Sequence, residues 1–154
     1  MKPRIAVASL VLAASTLVGI AVHEGYSDTP IIPIPGDVPT IGFGETKGVK
    51  ASDRTTPTRA LVTLLGSVGE YEAAVKRCAP VPMFESEYAA YVSLTYNIGQ
   101  GSFCSSTLVK KLTALDYDGA CAEILRWDKA NGKTIRGLTL RRQAEYRQCI
   151  GAKP

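Results

Sequence analysis

A single histidine, His23, stands among 154 residues, and that scarcity removes whole classes of chemistry. A serine or cysteine nucleophile activated by imidazole would have to be built on His23, and a His-rich metal site is impossible. Neither a metal nor a cofactor is expected. No P-loop and no G-x-G-x-x-G occurs, and Gly42-Phe43-Gly44 is too short a match to mean phosphate binding. None of the four cysteines forms a C-x-x-C pair. There is no internal repeat, and no low-complexity tract beyond one apolar run. Within that run, from Ile5 to Val22, there is no charge and no cysteine, so thiol exchange is not the expected trigger of any change there.

What remains is enough for one domain, which at this length buries roughly two-thirds of its unfolded surface. The net charge of +4 hides an asymmetry. Residues 23–104 carry 6 Lys and Arg against 9 Asp and Glu, whereas residues 105–154 carry 10 against 5. A basic C-terminal third suits an anionic polymer such as bacterial wall, nucleic acid or lipid headgroups, or is a solvated helical surface. Four cysteines behind an export segment read as two disulfides. Three pairings are possible and spacing alone does not choose; Cys78–Cys104 and Cys121–Cys149 are favoured, the first tying the ends of a helix-loop unit, the second clipping the last helix to its predecessor.

The 18 uncharged residues Ile5–Val22 would span about 27 Å as a helix, just enough for a hydrocarbon core. Nine of them are Ala, Gly, Ser or Thr, so lipid holds the segment far less firmly than a Leu-rich anchor. Lys2 and Arg4 precede it, which keeps the N-terminus cytoplasmic and sends residues 23–154 across. A releasable, uncleaved anchor over 1–22 is therefore expected, followed by a folded domain over 23–154. Cleavage after Ala21 is the competing expectation; it would leave Glu24 third from a frayed terminus.

Four prolines between Asp28 and Pro39 (Pro30, Pro33, Pro35 and Pro39) forbid a continuous helix and predict a restrained loop. Thr40 to Val49, with glycines at 42, 44 and 48, predicts a short hairpin. Beyond it the periodicity turns helical. Thr56-Pro57 starts a long helix to Cys78, with Leu61, Leu64, Leu65, Val68, Tyr71 and Val75 as its apolar stripe. Further helices are predicted over Phe84–Ile98, Ser106–Leu115, Tyr117–Trp127 and Leu138–Ile150. The fold class is α+β and mainly helical, with a small sheet lobe, a larger helical lobe and an apolar helix ahead of both.

Two carboxylates and a hydroxyl cluster near residue 30. Glu24 lies in His23-Glu24-Gly25-Tyr26, Asp37 follows Pro35-Gly36, and Thr40 opens Thr40-Ile41-Gly42-Phe43-Gly44. Taken singly, Glu24 reads equally as a capping glutamate, Asp37 as turn chemistry and Thr40 as a strand residue. Together they fall within 17 residues on restrained backbone, the layout glycoside hydrolysis needs: an acid for the leaving oxygen, and a carboxylate to activate water or stabilise the developing cation.

H-E-G-Y at 23–26, T-I-G-F-G at 40–44, Y-N-I-G-Q-G-S-F at 96–103, S-S-T-L at 105–108, R-W at 126–127 and G-L-T-L-R-R at 137–142 together resemble the phage-type lysozymes of glycoside hydrolase family 24, the endolysins. The soft apolar run further resembles the signal-anchor-release subgroup, exported tethered and inactive and freed when the membrane potential collapses. The resemblance implies a lysozyme-like fold and cleavage of the β-1,4 bond between N-acetylmuramic acid and N-acetylglucosamine in peptidoglycan. It also implies a monomer with no nucleic-acid partner, exported to the periplasm and first held at the inner membrane.

By the same resemblance Glu24 is the general acid, and Thr40 positions water or stabilises the glycosyl cation. Asn97, Arg141 and Arg142 support the site, one arginine of the last helix pairing with the catalytic glutamate. One departure stands out. The family's acidic residue or cysteine six positions before the threonine is Ile34 here. Asp37 is the substitute, with Asp28 second because it lies four residues after Glu24, on the same face if that helix persists. Glu45 stands where a histidine is common. The alternatives are a non-catalytic wall-binding membrane protein and a lytic transglycosylase.

Overall fold

A computed structural model of the chain describes residues 3–32 and 36–151. Ile34 lies outside the described residues. The fold is mainly helical, with two small two-stranded sheets among the described residues, and divides into two compact units: Ala14–Gly69, and Met1–Ala13 together with Glu70–Pro154.

In the first unit, helix α1 (Ala14–Glu24) ends where Gly25 takes a φ of +72° and donates its N–H to the Ala21 carbonyl at 3.1 Å. Left-handed backbone at this position favours glycine and stops the helix. Strand β1 (Ser27–Ile31) then pairs antiparallel with β2 (Thr40–Gly42), Ser27 opposite Gly42 and Ile31 opposite Thr40, with an irregularity between. The loop expected over Asp28–Pro39 is thus partly strand. Pro30 is tolerated because both strands of a two-stranded sheet are edges. Of the hairpin expected over Thr40–Val49, only the turn exists: Ile41 and Glu45 exchange both backbone hydrogen bonds, at 2.9 and 3.0 Å, while the pairing partner of β2 is β1. Gly42 combines a φ of +64° with a packing restriction, since a Cβ there would lie 2.9 Å from the Ala60 Cβ.

Helix α2 (Pro57–Cys78) starts with Thr56 Oγ1 accepting the Arg59 N–H at 3.3 Å and proline in the first turn. Its buried stripe is Ala60, Leu64, Val68, Ala74 and Val75, narrower than the sequence suggested; Leu61 and Leu65 are 40% and 59% exposed.

The second unit is built on helix α3 (Glu85–Ile98), whose residues 87–95 are all buried. Over that stretch the helix is buried on every face. Short helices α4 (Gln100–Cys104), α5 (Thr107–Thr113) and α6 (Tyr117–Glu123) follow, α5 packed against α6. Ser106 caps α5 by accepting the Val109 N–H at 3.2 Å, and Asp116 caps α6 through Gly119 at 3.0 Å. The helix expected to reach Trp127 stops at Glu123 and tightens into a 3₁₀ turn over Ile124–Arg126. A hairpin of β3 (Lys129–Ala130) and β4 (Lys133–Thr134) leads to α7 (Arg136–Cys149), which packs on α3. Tyr88, Tyr91, Leu94, Phe103, Leu108, Leu112 and Ile124 fill this core. Disulfides join Cys78 to Cys104 and Cys121 to Cys149.

The continuous apolar helix expected over Ile5–Val22 is absent. Ile5 exchanges backbone hydrogen bonds with Met83 at 3.0 and 2.9 Å, Val7–Ser9 form a 3₁₀ turn, and α1 begins only at Ala14. Among the described residues no helix is long and apolar enough to cross a membrane. Val7, Leu10, Ile20 and Ala21 are buried in the fold, whereas Val11, Val18 and Val22 are exposed. The composition explains why this is possible. With half of the run small or hydroxyl-bearing, a few buried aliphatic side chains compensate for what lipid would supply.

Candidate active site

Glu24 is the last residue of α1 and is half-buried. The chain leaves it through Gly25 and Tyr26 directly into β1, so the carboxylate sits where a helix end meets a sheet edge. Tyr26 packs its ring on Phe43, 5.3 Å between centroids, which ties the segment after Glu24 to the one after β2. Thr40 opens β2 opposite Ile31, and its hydroxyl donates to the Val38 carbonyl at 3.3 Å. Asp37 is exposed, and its Oδ1 accepts the Val38 N–H at 2.8 Å. Asp28 lies on β1, exposed; because α1 ends at Glu24, no helical face relates the two, and that route for Asp28 falls away. Glu24, Asp28, Asp37 and Thr40 all belong to the unit Ala14–Gly69.

Glu45 is held at three points. Its Oε1 accepts the N–H groups of Thr46 and Lys47 at 3.0 and 2.8 Å, and its Oε2 accepts the Ser67 hydroxyl at 2.9 Å. The carboxylate therefore fixes the turn that follows β2 onto α2.

The remaining candidates lie in the other unit. Arg141 and Arg142 are not surface arginines: they are 6% and 0% exposed. Arg142 Nη2 donates to Asn97 Oδ1 at 2.9 Å, which joins two of the expected supporting residues. Both guanidiniums converge on Glu145, itself 2% exposed, with Arg141 Nε 3.2 Å from Oε1 and Arg142 Nε 2.9 Å from Oε2. Ser93 Oγ adds a donor to Oε1 at 2.7 Å. Glu145 was not singled out in the sequence, although its spacing of three and four residues from the arginines is the one that places partners on one helix face. Trp127 is half-buried. Among the described residues no group of His, Cys, Asp and Glu is placed to hold a metal ion.

The phage lysozyme family profile matches residues 21–145, which takes in Glu24, the T-I-G-F-G strand and the buried arginines. The chain belongs to the phage lysozyme family. It is accordingly a glycosidase of the lysozyme kind. As a phage lysozyme it is similar to an endolysin of Acyrthosiphon pisum secondary endosymbiont phage 1, 40% identical over 69% of this chain and 75% of that protein. It is also similar to the SAR-endolysin of Pseudomonas phage phiKMV, 32% identical over 89% of this chain and 87% of the other. Among solved structures, the endolysin from Escherichia coli O157:H7 phage FAHEc1 superposes with a TM-score of 0.83 at 30% identity, covering 95% of this chain and 98% of that one.

Proposed function

We propose that this phage lysozyme is an endolysin that hydrolyses the β-1,4 bond between N-acetylmuramic acid and N-acetylglucosamine in peptidoglycan, lysing the host after release from the inner membrane. Glu24 is the general acid, Asp37 the second carboxylate with Asp28 as its alternate, and Thr40 the residue that positions water; Asn97, Arg141 and Arg142 support them. The observation that carries this is the family match beginning at residue 21, three residues before a half-buried glutamate at a helix end. An acid there meets the first need of glycoside hydrolysis, a proton for the leaving oxygen.

Residues 1–22 act as the releasable segment and 23–154 as the catalytic domain, a monomer that works in the periplasm. Support comes from the charge-free run itself and from its near relation to the phiKMV SAR-endolysin. The packing of Val7, Leu10, Ile20 and Ala21 into the fold supports a run that the protein can hold without lipid.

Glu24→Gln is expected to abolish release of reducing sugars from purified peptidoglycan with the thermal unfolding curve unchanged; retained hydrolysis rejects the assignment. Replacing Ala and Ser within 5–22 by Leu is expected to delay lysis. A second reading has one observation in its favour. Asp37 is exposed and already engaged in a turn, which suits a lytic transglycosylase needing a single acid. Full activity in Asp37→Ala with an anhydro-sugar product would establish that outcome instead.

A further inference from the structure

Arg4, ahead of the apolar run, has its guanidinium in a cage made by the start of α3 and the start of α6. Its Nε lies 3.2 and 3.0 Å from the two Glu87 oxygens and its Nη2 lies 2.7 Å from Oε1. The guanidinium carbon sits 4.3 Å from the centroid of the Phe84 ring and 3.6 Å from that of Tyr117. Two aromatic faces and a forked carboxylate pairing are the recognition chemistry of a planar delocalised cation, which a lysine ammonium matches poorly.

The walls of the cage are held by contacts that do not involve Arg4. Glu87, 3% exposed, accepts the Phe84 N–H at 2.8 Å as part of the capping box of α3. The Tyr117 hydroxyl donates to the Pro82 carbonyl at 2.8 Å. The site therefore stands ready whether or not a cation fills it. Beyond Arg4 the segment continues to dock: Ile5 pairs with Met83, Val7 and Leu10 are buried, and the Leu12 N–H reaches Glu72 Oε1 at 2.9 Å.

We infer that the Phe84–Glu87–Tyr117 cage is a guanidinium-binding site whose ligand is Arg4 of the same chain, and that filling it holds the N-terminal run in the released fold. This rests on the release reading above. If residues 5–22 span a bilayer, Arg4 stands on the cytoplasmic side, about 27 Å of helix away, while the cage is on the far side. One arginine thus has two exclusive positions: the charge that orients the tether, and the cation that neutralises a buried carboxylate once the tether is out. Leaving Glu87 without it strands a buried charge, so cage filling biases the equilibrium toward the docked state.

The test uses the full chain with Glu87→Gln, which leaves every residue of the N-terminal segment intact, and Arg4→Lys, which keeps the orienting charge but not the fork or the stacking. Each variant is expected to lower the ratio of periplasmic to membrane-bound protein by roughly tenfold, while peptidoglycan hydrolysis per released molecule stays at the wild-type value. A wild-type ratio in both variants overturns the inference. If the wild-type chain never enters the membrane, the release reading fails, and the cage is judged by thermal unfolding of the two variants and their double. A double variant no less stable than the worse single supports the cage, and strictly additive losses overturn it.

Discussion

The Ser67 hydroxyl donates to Glu45 Oε2 at 2.9 Å, and through that bond α2 holds the turn that follows Thr40-Ile41-Gly42. Glu45 is bonded to Ile41 through both backbone groups, so whatever moves residue 45 moves the neighbour of Thr40. A histidine at this position would be a poor acceptor for two adjacent N–H groups and a hydroxyl at once; the carboxylate takes all three.

Glu45→Ala is therefore expected to leave the Thr46 and Lys47 N–H groups to water and to free the turn, lowering stability by about 1–2 kcal/mol. Hydrolysis should fall through kcat, with KM less affected, because the loss is in the placement of Thr40 and not in sugar contact. Glu45→Gln keeps one acceptor oxygen for the backbone and should retain most of both. Thermal unfolding alongside hydrolysis kinetics on purified peptidoglycan checks this; equal kcat in wild type and Glu45→Ala would show that the turn does not position the threonine.

Helix α2 shows how far local sequence rules reach. Thr56-Pro57 marks its start and Cys78 its end because capping and proline preference act on adjacent residues. Which of its leucines are buried was less legible. Leu61 and Leu64 obey the same periodicity, but only tertiary packing decides that one is 40% exposed and the other 2%. The β3–β4 hairpin was missed although Asn131-Gly132, with φ of 50° and 75°, is the strongest short-range hairpin signal there is; its two-residue strands carry too little alternation to register. For the apolar run, hydrophobicity alone could not separate lipid from protein interior, since both are apolar solvents. Arg4 and Leu12 find polar partners on Glu87 and Glu72, 83 and 60 residues away in sequence, and no local pattern shows such pairings. Glu24 and Thr40 were named from their motifs, while Glu145 belonged to no motif and emerged only from the convergence of two buried arginines.

That convergence ties the packing of the helical unit to Glu145. Glu145→Ala takes from the buried cations Arg141 and Arg142 the acceptor they share, and removal of one partner from a buried ion pair typically costs about 3–5 kcal/mol. Glu145→Gln retains an acceptor for Ser93 and for one arginine while losing the charge, and should fall between. Urea denaturation read by circular dichroism gives the comparison. An alanine variant within about 0.5 kcal/mol of wild type would mean that the arginines relax to other partners and that Glu145 is dispensable to the fold.

Alkaline pH tests a different buried group. Tyr88 is 1% exposed, and its hydroxyl donates to Glu72 Oε1 at 2.8 Å. Burial first, and then the bond to a carboxylate, push its pKa well above the ordinary tyrosine value; burial does the same to Tyr91. The fold thus favours the protonated phenols. Stability from them is fully present below the unfolded value of about 10 and is lost as pH climbs from there toward the raised folded value. Between about pH 10 and 11 each phenol should therefore steepen the decline by up to about 1.4 kcal/mol per pH unit. Tyr88→Phe should be less stable than wild type at pH 7, by about 1 kcal/mol for the lost hydrogen bond, and less sensitive to alkali, so the two unfolding curves draw together as pH rises. Parallel curves for wild type and Tyr88→Phe would mean that ionisation elsewhere drives alkaline unfolding. The same comparison reports on the N-terminal segment, because Glu72 Oε1 also accepts the Leu12 N–H: with the Tyr88 hydroxyl gone that oxygen is held by the segment, and undocking the segment then costs more than it does in the wild type.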